Sequence, residues 1–367
     1  MAAMRRRSFL PGERIRVLVV DDSVVIRRLV TNALEQDTEI EVVGAASNGV
    51  IALQRIPHLD PDVLTLDIEM PEMNGIETLR HLRRNYPDLR VIMFSTLTER
   101  GAAVTLEALA LGADDYVTKA SNEGSIDRSI DRLREELIPK IKQFFRMPAA
   151  APLPSAEWRP APLHPCSSPP SGIAPARPRI VVIGCSTGGP TALATLLPQF
   201  PANFPLPILV VQHMPPLFTR LLAERLNSAC KMPMGEACQG EAVVAGRILI
   251  APGGFHMKVA MSGGKIHVLL DQSPPQNFCR PAVDALFCSI AEVYGGAVVA
   301  AVLTGMGQDG LRGSEILKAH GAAILAQDQE SSVVWGMPGA VANAGLADRV
   351  VPLTQCAQEI LRRAEQA

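Results

Sequence analysis

Residues 147–178 read MPAAAPLPSAEWRPAPLHPCSSPPSGIAPARP, and ten of these 32 residues are proline. Proline has no backbone N–H and holds φ near −65°, so such a stretch supplies no ladder for helix or sheet and tends to polyproline II. It acts as a semi-rigid spacer, and it divides the chain into residues 1–146 and 179–367, each long enough for an independent core. With hydrophobic residues at 47% of the 367-residue chain, both parts can bury one. Apolar runs are strand-sized and broken by Gly, Pro or charge, so no membrane insertion is expected. The start, MAAMRRRSFLPGER, has arginines but no apolar stretch behind them, and no signal peptide is expected. A formal net charge of −2 argues against a nucleic-acid surface. The seven cysteines form no C-x-x-C pair, which reads as a reduced, cytoplasmic protein.

Before the spacer, apolar runs at 16–20, 40–46, 62–68, 90–95 and 115–119 alternate with amphipathic helical stretches, which implies a parallel, doubly wound sheet. Ligands of such sheets bind at the carboxyl ends of the strands. There the chain carries Asp21 and Asp22, then Asp67, then Ser95, then Lys119. Clustered carboxylates repel one another unless a cation lies between them, and a hard oxygen-rich site suits Mg²⁺. Asp67 can attack a phosphoryl donor, with Lys119 neutralising the phosphoryl oxygens and Ser95 donating to one of them.

In these residues the chain resembles the response-regulator receiver family over about residues 15–135. The resemblance implies Asp67 as phosphoacceptor, Asp21, Asp22 and Asp67 as Mg²⁺ ligands, Ser95 as switch hydroxyl and Lys119 as the phosphate-contacting amine. It also implies a histidine kinase as phosphodonor. Where that family usually has proline after the lysine, this chain has Ala120.

After the spacer, the runs at 179–184, 207–213 and 295–305 resume the strand–helix alternation. Short runs between residues 231 and 270, RILIAP and KIHVLL among them, read as a local antiparallel insertion. The first run leads into GCSTGGP, a G-x-S-x-G turn that exposes Ser186 at the sheet rim. Glycine-rich junctions also cradle phosphates, but G-K-[ST] and G-x-G-x-x-G are both missing. The second run ends at His213, and the third leads to Asp309, which gives nucleophile, base and orienting carboxylate in the order Ser186, His213, Asp309. That order differs from the Ser, Asp, His of α/β-hydrolases. His256, in a Gly-rich loop, is the rival base, whereas His58, His81 and His320 fall on helices and His164 in the spacer.

The motifs GCSTGGP, QHMP, IAPGGFHM, RPAVD and TGMGQDG closely resemble the catalytic domain of chemotaxis protein-glutamate methylesterases, over residue 179 to about 360. The resemblance implies hydrolysis of glutamyl methyl esters on the cytoplasmic helices of methylated chemoreceptors, with glutamine deamidation at such sites, and no cofactor for the ester chemistry. Thr187 and Met306 match positions lining the site, Met306 as a source of a backbone donor. Ala282 stands where that family has serine. The expected architecture is α/β, two doubly wound parallel-sheet domains: a flavodoxin-like receiver, then a Rossmann-like three-layer hydrolase with a small antiparallel insertion. A receiver joined to an esterase reads as a phosphorylation-regulated hydrolase; a non-catalytic adaptor and a small-ester hydrolase are the competing readings.

Overall fold

The computed structural model describes residues 12–119, 126–145 and 177–365. The spacer up to residue 176 lies outside them, as do His164 and Ala120. The strands assemble into two units, each built on one parallel sheet, the first within residues 12–145 and the second within residues 177–365.

The first unit alternates β1 (Ile15–Val20), α1 (Val24–Glu35), β2 (Ile40–Ala46), α2 (Gly49–Leu59), β3 (Val63–Asp67), α3 (Gly75–Asn85), β4 (Arg90–Ser95), α4 (Glu99–Ala110), β5 (Asp115–Thr118) and α5 (Ile126–Lys142). Its five strands are parallel in the order β2-β1-β3-β4-β5, the flavodoxin-like doubly wound arrangement. Strands β3, β4 and β5 are buried along their whole length, so their apolar runs are continuous rather than alternating. Short polar caps start the helices: Ser23 accepts from Ile26 N, Asn48 from Ile51 N, and Asn74 forms a capping box with Glu77.

The second unit runs β6 (Ile180–Cys185), α6 (Gly189–Leu196), β7 (Ile208–Gln212), α7 (Phe218–Asn227), β8 (Met234–Glu236), β9 (Ile248–Ile250), β10 (His256–Ser262), β11 (Lys265–Asp271), α8 (Val283–Tyr294), β12 (Val298–Val302), α9 (Leu311–Ala319), β13 (Ala323–Gln327), α10 (Met337–Asn343), β14 (Arg349–Val351) and α11 (Leu353–Glu365). Seven strands form one parallel sheet in the order β14-β13-β12-β6-β7-β9-β8, and β10–β11 form a separate antiparallel hairpin. The expected antiparallel insertion is this hairpin of residues 256–271, with one antiparallel bridge from Ala242 to His267. RILIAP does not belong to it: Ile248, Leu249 and Ile250 pair in parallel with Ile208, Leu209 and Val210 of β7. Strands β6, β7 and β12 are wholly buried. The chain winds from β6 outward through β7, then returns to place β12 on the other flank of β6. That reversal makes the carboxyl ends of β6 and β12 the switch point of the sheet, the place where ligands of such sheets bind.

Candidate active site and phosphoacceptor site

Ser186 follows β6 directly. Its N–H donates to Thr304 O (3.0 Å) and its carbonyl accepts from Gly189 N (2.7 Å), which turns the chain sharply into α6. Gly188, at φ +78°, caps that helix; a Cβ there would lie 2.7 Å from the Val333 side chain. Gly305 lets the chain beyond β12 come close to this turn, since a Cβ would meet Ser186 Cβ at 2.8 Å and Met337 Sδ at 2.4 Å. The buried Gln212 side chain ties two strand ends together, donating to the carbonyls of Ser186 (3.0 Å) and His213 (3.1 Å). Thr187 is buried and its carbonyl accepts from the Thr304 hydroxyl (2.9 Å). Met306 is half-exposed on the loop after β12 that also carries Asp309.

The structure joins His213 to Asp309: Nε2 lies 2.7 Å from Asp309 Oδ2. Asp309 is almost completely buried, yet both its oxygens are fully engaged. Oδ2 also accepts from Val283 N (2.6 Å), and Oδ1 accepts from Asp284 N (3.0 Å), Gly310 N (3.1 Å) and Asn277 Nδ2 (3.0 Å). Val283 and Asp284 open α8, so the carboxylate sits on the positive end of a helix. Burial alone would raise Asp309, but the His213 bond and these backbone amides hold it below the usual carboxylate range. Here the Ala282 departure finds its explanation. Ala282 is the N-cap of α8 and makes no side-chain cap, and the amides beyond it are taken by Asp309 instead.

The other ring nitrogen of His213, Nδ1, faces the thiol of Cys279 at 3.4 Å. The ring's hydrogen bonds run to Asp309 and Cys279, and the expected Ser186 bond is not among them. Asp309 occupies Nε2, so a proton could be taken by this ring only at Nδ1, the nitrogen that faces Cys279. Burial pulls the imidazolium down, but the bonds to Asp309 and Cys279 outweigh it and raise His213 to about 10. His256 is not part of this constellation. It is fully buried, accepts from Ala282 N through Nδ1 (3.2 Å) and turns Nε2 to Pro274 O (3.2 Å), so it is spent as a neutral structural residue.

Three contributors went unread in the sequence. Asn277 spans two buried carboxylates, donating to Asp284 Oδ2 (2.9 Å) as well as to Asp309. Asp284 accepts from Gly310 N (3.0 Å) and Gly313 N (2.7 Å) and is raised by burial and by the charge of Asp309. Cys279 is the third. Asp284 was visible as the last residue of RPAVD; Asn277 and Cys279 carried no motif.

In the first unit, Asp21, Asp22 and Asp67 each bring a carboxylate oxygen within 4.8 Å of the others. Lys119 Nζ lies 2.9 Å from Asp21 and 2.8 Å from Asp67. Burial, with repulsion from Asp21 behind it, outweighs Lys119 and lifts Asp67 to about 6. One lysine thus leaves the cluster short of positive charge, and the donor set fits a small hard cation. Arg27 fixes the β1–α1 turn by donating to the carbonyls of Asp21 (2.6 Å) and Asp22 (2.9 Å). Ser95 is buried at the end of β4, its hydroxyl 3.2 Å from Thr96 O.

Residues 181–360 match the family described as CheB methylesterase, and residues 17–131 match the response regulator receiver domain. A protein-glutamate methylesterase/protein-glutamine glutaminase of Trichodesmium erythraeum is 49% identical over 95% of this chain and 99% of its own length. The chain belongs to the CheB methylesterase family. A relative of the same name from a Nocardioides species is 51% identical over 96% of each chain. The crystal structure of the Thermotoga maritima CheB methylesterase catalytic domain is 44% identical, covers 51% of this chain and 99% of its own, and superposes with a TM-score of 0.50. The receiver and the esterase expected from the sequence are thus each matched by a family in this chain. Among the described residues no helix is long and apolar enough to cross a membrane.

Proposed function

We propose that the second unit hydrolyses glutamyl methyl esters on the cytoplasmic domains of methylated chemoreceptors, and deamidates glutamines there, with Ser186 as nucleophile. The observation that carries this reading is the buried His213–Asp309 pair standing at the strand end beside the Ser186 turn. Ser186 Oγ attacks the ester carbonyl while His213 Nδ1 takes its proton. Asp309 stabilises the imidazolium through Nε2. Backbone amides at the Ser186 turn and in the Met306 loop hold the oxyanion, and Thr187 shapes the cleft. The imidazolium returns its proton to the departing methoxide, releasing methanol and leaving a Ser186 acyl ester. Water then attacks that ester, Nδ1 takes the water proton, and the serine hydroxyl is regenerated beside a glutamate carboxylate. With glutamine, ammonia leaves in place of methanol.

The receiver accepts a phosphoryl group on Asp67 from the histidine kinase of the chemotaxis system. Asp21, Asp22 and Asp67 hold Mg²⁺, which when bound neutralises phosphoryl charge. Lys119 places its ammonium against the same oxygens, and Ser95 supplies the hydroxyl that the phosphoryl group draws toward it. Methanol release from a methylated receptor fragment, with and without Mg²⁺ and a small acyl phosphate, tests the whole reading. Ser186→Ala is expected to reduce release by several orders of magnitude, and His213→Ala combined with it to add little. Undiminished release from the serine variant would exclude the acyl-enzyme route.

A further inference from the structure

Residues 276–279 form a tight turn. Gln276 and Cys279 exchange both backbone hydrogen bonds, 3.0 and 2.8 Å, and the two residues between them, Asn277 and Phe278, have φ of +50° and +62°. Two successive positive φ values mark the I′ type of hairpin turn, whose preferred residues are Asn and Gly. Asn277 meets that preference. Phe278 does not: a bulky side chain at positive φ is strained, and glycine would occupy the position freely. The strain secures no packing, because Phe278 is 103% exposed, whereas the next most exposed large apolar side chains, Val25 and Met261, reach 62%. The chain therefore holds an aromatic ring in water, in an unfavourable conformation, with no return in folding stability. Strain of this kind persists at ligand contacts.

The neighbours of Phe278 say which contact. Asn277 donates to Asp309, and Cys279 faces His213, so the ring stands on the two-residue bridge between the carboxylate and the base. Arg280 anchors the base of this loop by donating to the carbonyls of Gln272 (2.9 Å) and Ser273 (3.1 Å). Met306, also exposed, is carried by the loop that holds Asp309. We infer that Phe278 is a docking residue for the substrate helix: it covers an apolar side chain one helical turn from the glutamyl ester while the ester enters toward Ser186. A helix presents residues three and four positions away on the same face as the ester, at the distance a ring beside the cleft needs. An amphipathic helix supplies an apolar stripe for it, and a small free ester has nothing to offer it.

This inference rests on the esterase reading, and the test separates the two. The informative quantity is the ratio of kcat/KM for methanol release from a methylated receptor fragment to kcat/KM for p-nitrophenyl acetate. Phe278→Gly and Phe278→Asn both relieve the backbone strain and remove the apolar ring. Their ratio should fall at least about tenfold, the worth of one buried aromatic side chain, while their melting temperatures stay at or above that of the parent protein. Phe278→Leu keeps apolar surface and should hold the ratio within about threefold. An unchanged ratio in the glycine and asparagine variants would overturn the inference, as would a fall matched by lowered melting temperature. Failure of the esterase reading would show elsewhere, as methanol release that survives Ser186→Ala.

Discussion

At the scale of single residues, the site is governed by how two buried carboxylates are kept apart and how one imidazole is divided between one of them, Asp309, and the Cys279 thiol. Asn277 reaches both Asp284 and Asp309 and offsets their repulsion with one amide. Asn277→Ala should lower kcat for methanol release about ten- to a hundredfold, because Asp309 then loses a donor and the orientation of His213 loosens. Cys279 is one of the groups that raise His213. Cys279→Ala should therefore move the rise of kcat/KM with pH toward lower pH, a shift that loss of packing alone would not produce. The same raised value has a stability signature. Folding lifts His213 from 6.5 to about 10, so its contribution is complete below pH 6.5 and is lost as pH climbs through about 10. The melting-temperature gap between the parent protein and His213→Gln should be widest below pH 6.5 and close toward pH 10.

At the scale of elements, the strand ends decide where the chemistry stands. The end of β12 passes so close to the Ser186 turn that only glycine fits at position 305. Gly305→Ala should displace the serine and cost roughly a hundredfold in kcat, since errors near 1 Å at a reacting atom have that effect, while circular dichroism still reports a folded unit. The placement of Ser186, His213 and Asp309 past the ends of β6, β7 and β12 could be read from the sequence because each follows a continuous apolar run, and runs of that kind mark buried parallel strands. Strands β3 and β4 were equally plain, with the apolar run 90–95 coinciding with Arg90–Ser95. The misreading of RILIAP has a physical cause. Three apolar residues between glycine turns fit a hairpin as well as a sheet edge, and only packing against β7 chooses between them. Asn277 and Cys279 were hidden for a different reason. They lie in a turn without periodicity, and the phenylalanine between them masks the Asn-Gly signal that would have marked it.

At the scale of the whole molecule, the cluster around Asp67 and the pair around His213 solve one electrostatic problem in opposite ways. Asp309 is stabilised as an anion by helix amides and an imidazolium, so it stays charged and serves as a fixed support. Asp67 is left short of compensation and is raised to about 6. Its native form binds a proton more tightly than the unfolded chain does, so between the ordinary value of 3.8 and about 6 the stability of this unit falls as pH rises. Above that window the ionised Asp67 is a standing cost, and a bound cation or Asp67→Asn removes it. Three outcomes follow for the intact chain. Millimolar Mg²⁺ should raise the first unit's melting temperature more at pH 7.5 than at pH 5, because a protonated Asp67 competes with the ion, and linkage gives several degrees once the ion greatly exceeds its dissociation constant. Asp67→Asn should melt higher than the parent protein without Mg²⁺ and gain little from it. The same variant should release methanol at a rate indifferent to an acyl phosphate, whereas the parent protein responds. If Asp67→Asn still responded, the phosphoryl group would have to be received elsewhere, and the charge deficit at Asp67 would be unconnected to control of the esterase.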